Sequence, residues 1–139
     1  MRQDYRKDFP AGMAALVELE AAIEQTSLSP ALLEIVRIRV SQINGCAYCL
    51  AMHNRVAREL GEQPARLDTI GAWHDSPFFS AKERASLAWA EALTLLSTHG
   101  APDEVYLPLK DHFTDEEITA LTYAIAATNV WNRLAVGLH

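Results

Sequence analysis

The 139-residue sequence predicts an all-α protein, a single compact helical domain over residues 1–139. Three observations carry that prediction. No stretch of useful length alternates apolar and polar residues as a half-buried strand would. The apolar residues recur instead at intervals of three and four, the spacing that lines one face of a helix. The segments so marked open on N-capping residues and close on glycines, with short connections and no low-complexity linker between them.

Met13, Leu16, Val17, Glu20 and Ile23 fall at helical intervals and predict a first helix over residues 10–25. Ser29-Pro30 is a start signal, serine capping and proline occupying the first helical position where its missing N–H costs nothing. From there Leu32, Leu33, Ile35, Val36, Val40 and Ile43 extend a helix that Asn44-Gly45 interrupts. The next helix is expected from about Cys46 to Leu60, with Gly61 in the left-handed position after its end. A short helix follows around residues 64–72. Ser80 and Glu83 form a capping box that opens a helix expected to reach about Thr98, with Gly100 ending it. Thr114 and Glu117 form a second box, flanked by Phe113 and Ile118 in the positions of a hydrophobic staple. It starts the last helix, from about Asp115 to Val136.

That last helix is apolar almost all the way round, so it must be buried on several sides. In a domain this small some of that cover is expected from other copies of the chain, which predicts a homo-oligomer. Half of the residues are hydrophobic, enough for a real core. The net charge is −6 and the isoelectric point about 5.3. An acidic chain whose basic residues are scattered (Arg55, Arg58, Arg66, Arg84) lacks the positive surface that nucleic acid or an anionic membrane requires. Those arginines read as solvated or paired on helix faces. Residues 118–132 are the most apolar segment, yet too short and too rich in Thr and Asn to span a membrane. With a charged first ten residues and no apolar leader, the expected location is the cytoplasm.

Both cysteines lie in "NGCAYCLAMH", residues 44–53. In a reducing compartment a lone cysteine pair points to catalysis, redox sensing or metal binding rather than a structural staple. In a helix beginning near Cys46, the residues Cys46, Cys49 and His53 lie at i, i+3 and i+7, on one face. Such a pair can close a disulfide with modest adjustment. A free thiol with pKa near 8.5 is only about 3% thiolate at pH 7; a helix N-terminus or a neighbouring imidazole raises that fraction. The helix terminus favours Cys46 as the attacking thiol, and His53, one turn beyond, favours Cys49; the residues alone leave both open. A structural zinc site needs four ligands, and Cys46, Cys49 and His53 supply three at most. Tyr48 reads as a packing residue. Glu34, taken as a first-turn glutamate, reads as a complement to the helix dipole.

The stretch "EIVRIRVSQINGCAYCLAMHNRVARELG", residues 34–61, closely resembles the alkylhydroperoxidase D-like branch of the carboxymuconolactone decarboxylase family. Residues 76–94, "SPFFSAKERASLAWAEALT", and 124–136, "AIAATNVWNRLAV", resemble the same family, so the likeness covers most of the chain. It implies an all-α fold, assembly as a trimer or hexamer, and a catalytic set of Glu34, Cys46, Cys49 and His53. By the resemblance Cys49 is peroxidatic and Cys46 resolving, with Glu34 and His53 relaying the proton. The implied substrate is an organic hydroperoxide or hydrogen peroxide. No bound cofactor or metal is implied, only an external dithiol as electron donor. Two other functions compete: decarboxylation of a lactone acid, which needs acid–base groups but no thiols, and a redox-sensing protein that does not turn over. Asn129 and Arg133 share a face of the last helix and read as inter-helix hydrogen bonds and an interface ion pair; Trp131 and Asn132 lie beside them. Trp73, Phe78, Phe79 and Trp89 read as core or interface.

Overall fold

A computed structural model describes all 139 residues, and every regular element is helical. Nine α-helices follow in order: α1 (Tyr5–Asp8), α2 (Pro10–Glu24), α3 (Pro30–Asn44), α4 (Ala47–Glu59), α5 (Pro64–Thr69), α6 (Ala81–Thr94), α7 (Leu96–His99), α8 (Asp103–Tyr106) and α9 (Asp115–Leu138). Two 3-10 turns, Ile70–Ala72 and Leu107–Asp111, complete the list.

The start signals act as the residue types dictate. The Ser29 hydroxyl accepts from the Leu32 N–H at 3.3 Å at the head of α3. Both capping boxes close reciprocally, Ser80 with Glu83 and Thr114 with Glu117. Phe113 and Ile118 are both buried in one cluster, as a staple requires. The turn between α3 and α4 needs its glycine. Gly45 sits at φ +67°, and the Gly45 and Cys46 N–H groups bond back to Gln42 and Ser41, a closure that uses the left-handed conformation.

One boundary differs. The helix opened by Ser80 ends at Thr94 rather than Thr98. Leu95 leaves helical dihedrals (φ −102°, ψ 34°), at the point where the Thr94 hydroxyl accepts from Asn129 of α9. A separate turn, α7, then runs to Gly100. The three short elements α1, α8 and Leu107–Asp111 lack the length to show a periodicity.

Helix α3 is the axis of the molecule. Ile35, Val36, Ile38 and Val40 have no exposed surface. Leu32, Leu33, Val36 and Val40 face one cluster with α6 and α9, where Leu121, Ala124 and Ile125 are fully buried. Ile35 and Ile38 face a second cluster with Ala57, Leu67, Ile70 and Trp73. A helix buried on both sides cannot be read as simply amphipathic, and α3 carries two apolar faces separated by polar positions such as Glu34, Arg37 and Ser41. On α9, by contrast, Tyr123, Val130 and Val136 remain exposed in the single chain. No helix is long and apolar enough to cross a membrane.

Candidate active site

Cys46 is the N-cap of α4: its Sγ accepts from the Cys49 N–H at 3.4 Å. It precedes the helix rather than forming part of it, as a residue in extended conformation just before the first turn. Cys49 lies one turn on, the Cα atoms are 5.3 Å apart, and the two sulfurs are joined as a disulfide. Both are buried, Cys46 completely. They differ in what they border. Cys49 lines a cavity of about 450 Å³ together with Glu34 and His53, and Cys46 does not reach it.

Glu34 is the fifth residue of α3, past the first turn, and its carboxylate is buried. A dipole role on the surface is therefore not what it does. One oxygen accepts from Arg37 Nη1 at 2.9 Å and the other pairs with His53 Nδ1 at 2.7 Å. Burial alone pushes the Glu34 carboxyl up. The hydrogen bond and charge of His53, then the charge and hydrogen bond of Arg37, outweigh it and hold the group below its ordinary value. An ionised Glu34 has no proton to give, so His53 Nδ1 donates, and Nε2 is the nitrogen left to exchange a proton with the cavity. The sequence-predicted quartet of Glu34, Cys46, Cys49 and His53 is thus brought together, three of the four on one cavity wall.

Residues outside that quartet complete the site. Arg37 is buried and reaches three carboxylates: Glu34, Glu20 at 2.8 Å and Glu24 at 3.1 Å. Its burial lowers its pKa, and the three charges raise it by more. Trp131 of α9 turns into the cavity and donates Nε1 to Glu20 at 3.0 Å. Met13 and Val17 of α2 and Met52 and Val56 of α4 supply apolar wall. Tyr48 is exposed at the mouth rather than packed, with the Arg6 guanidinium 5.8 Å from its ring centre. The signal for α2 was present in the sequence. Met13, Val17, Glu20 and Glu24 lie at i, i+4, i+7 and i+11, one stripe that turns from apolar to acidic. Arg37 inside the apolar run "EIVRIRV" was the matching cation.

The other singled-out residues serve the scaffold. Asn44, beside the cysteine turn, donates to Asn129 and Asn132, both at 3.0 Å, and Asn132 donates to Ser41 at 3.1 Å. Arg133 bonds the Asn129 carbonyl and side-chain oxygens, and within the chain it forms no ion pair. Trp73, Phe79 and Trp89 are core residues as expected, whereas Phe78 is exposed. The arginines read as paired include Arg66, held by Glu62 and Glu83, and Arg84, which donates to the carbonyls of Trp73, His74 and Ser76.

The all-helical scaffold thus carries a disulfide-joined cysteine pair next to a buried glutamate and a histidine, with Cys49, Glu34 and His53 at one cavity. The profile of the Carboxymuconolactone decarboxylase family matches residues 8–92, and the chain belongs to that family, in its AhpD-like branch. It is 35% identical over 137 residues to the uncharacterized protein YdfG of Bacillus subtilis, covering 99% of this chain and 93% of that one. A crystal structure of a protein of unknown function from Agrobacterium tumefaciens, with the antioxidant defence protein AhpD as its suggested identity, superposes with a TM-score of 0.95. It shares 38% identity and covers 99% of this chain and 94% of its own. The debrominase Bmp8 shares the fold at a TM-score of 0.82 and 22% identity, over 93% of this chain and 69% of that one.

Proposed function

We propose that this protein is a thiol-dependent peroxidase, reducing an organic hydroperoxide or hydrogen peroxide at Cys49 and drawing electrons from an external dithiol. The observation that carries this reading is that Cys49, Glu34 and His53 share one cavity wall while Cys46 lies behind it, capping α4. A substrate entering the cavity meets Cys49 first.

In the reduced protein His53 Nε2 accepts the Cys49 proton, directly or through water, and Glu34 stabilises the imidazolium through Nδ1. The thiolate attacks the distal oxygen of the hydroperoxide. The O–O bond breaks, Cys49 becomes a sulfenic acid, and the alkoxide leaves with the proton from His53 as an alcohol, or as water from hydrogen peroxide. The Cys46 thiol attacks the sulfenic sulfur, water leaves, and the disulfide forms. The external dithiol attacks the Cys49 sulfur, passes through a mixed disulfide and restores both thiols. No bound metal or cofactor enters the cycle.

The direct test is intact-protein mass after adding one equivalent of cumene hydroperoxide to the reduced protein. The expected result is loss of two hydrogens and no retained oxygen, within seconds. Thiols that stay reduced for an hour sink the peroxidase reading. The same protein is expected to assemble as a homo-oligomer through the side of α9 that exposes Tyr123 and Val130. Light scattering should then give three or six times the 15.4 kDa chain mass, and a value of one chain mass counts against it.

A further inference from the structure

Arg37 joins elements that the relay itself does not need. Its guanidinium donates to Glu34 on its own helix and to Glu20 and Glu24 on α2, and Glu20 is in turn held by Trp131 from α9. The side chain is 6% exposed, so its charge acts in a medium where Coulomb interactions are weakly screened. The charged and titratable groups around the cavity come from four of the five helices packed on it. They are Arg6 and Tyr5 from α1, Glu20 and Glu24 from α2, Glu34 and Arg37 from α3, and Tyr48, Cys49 and His53 from α4; α9 contributes none.

The consequence is electrostatic. Three carboxylates face one buried guanidinium, and a Cys49 thiolate would add a fourth negative charge beside them. Like charges disfavour ionisation of a thiol, so the cluster works against the nucleophile unless the cation offsets it. Arg37 also occupies one Glu34 oxygen, which leaves the other for His53 Nδ1 and thereby sets the imidazole tautomer.

We infer that Arg37 is a positioning residue for the Cys49 thiol: it holds Glu34 for His53 and offsets the acidic wall of α2, so that the thiolate forms near neutral pH. This rests on the reading of Cys49 as nucleophile and Glu34–His53 as its base. Glu20 then has the opposite influence. It competes with Glu34 for the guanidinium, and its removal frees positive charge for the site.

The test is the pH dependence of Cys49 alkylation by iodoacetamide in the reduced full-length protein, carried on a Cys46→Ser background so that one thiol reports. Arg37→Met is expected to raise the midpoint by about one pH unit. Arg37→Lys, which keeps the charge, is expected to restore most of it. Glu20→Gln, which keeps a hydrogen-bond acceptor for Trp131, is expected to lower the midpoint by roughly half a unit. A merely structural role would damage the site in both Arg37→Met and Glu20→Gln and move the two midpoints the same way, which overturns the inference. Should Arg37→Met not fold, Glu20→Gln decides: an unchanged or raised midpoint overturns it. His53→Gln, which removes the imidazole and leaves every carboxylate in place, separates the two levels. If it raises the midpoint and Arg37→Met does not, the Arg37 role alone is wrong. If neither moves it, the relay falls and the Arg37 role with it.

Discussion

Cys49→Ser is expected to abolish peroxide turnover, by at least about 10³-fold in kcat/KM, because removing an attacking nucleophile removes the covalent route itself. A serine hydroxyl at this position has no accessible anion at neutral pH, and the buried glutamate and imidazole cannot substitute for a polarisable sulfur. Cys46→Ser is expected to behave differently. The first oxidation step needs only Cys49, so one equivalent of hydroperoxide should still be consumed. With no thiol one turn away to condense, Cys49 should then persist as a sulfenic acid, trapped by dimedone and visible as a mass adduct. Catalytic turnover with a dithiol should fall, since the reductant must attack the sulfenic acid in place of a disulfide. The asymmetry between the two variants is the informative result. If Cys46→Ser is inert and Cys49→Ser traps the sulfenic acid, the attacking and resolving roles are reversed, and the helix N-terminus at Cys46 outweighs the imidazole.

The second large effect concerns stability. Leu121→Ala is expected to cost about 3 kcal/mol, within the usual 2–5 kcal/mol range for truncating a buried leucine. Leu121 has no exposed surface, and it lies where α9 packs across α3 and α6, in the cluster with Leu33, Val36 and Ile125. The loss has two parts: the transfer free energy of the deleted carbons and the contacts forfeited round a cavity that a close-packed interior cannot refill. Against a total stability of about 5–15 kcal/mol, that is a large share, and a melting temperature lower by about 10 °C is expected for a domain of this size. Leu60→Ala is the control. Leu60 is 47% exposed at the end of α4, and its truncation is expected to stay within about 0.5 kcal/mol. Urea unfolding of both variants checks the pair. A Leu121→Ala cost below about 1 kcal/mol would mean that α9 does not pack on α3 as described.

Helix α9 shows why some features are legible from residues and others are not. Its start was readable because Thr114, Glu117, Phe113 and Ile118 satisfy one another within a single turn. Its apolar circumference was readable as burial. Which residue of "TNVWNR" turns to the site was not: Trp131 reaches Glu20, 111 residues away, while Asn132 turns to Ser41, 91 residues away. The same division holds at Glu34. Its sequence position suits a dipole role, and only the packing of α2 and α4 against α3 makes it the shared acceptor of Arg37 and His53. The aromatic residues divide likewise. Trp73 and Trp89 fill core, and the site takes Tyr48 and Trp131, because burial depends on which helices cross and not on ring size.

Local patterns were enough for the helical class, the capped starts of α3, α6 and α9, the glycine turn at Gly45, and the placing of His53 one turn beyond Cys49 on the same face. Each is settled by groups a few residues apart, whose geometry the helix repeat imposes whatever surrounds them. It took the packing of distant helices to bring Cys49 and not Cys46 to the cavity, to stop α6 at Thr94, and to gather Glu20, Glu24 and Glu34 round Arg37. Those outcomes depend on which distant carboxylates, hydroxyls and side-chain amides are buried together. A buried charge or donor must find a partner wherever packing brings one, and no local pattern records where that will be.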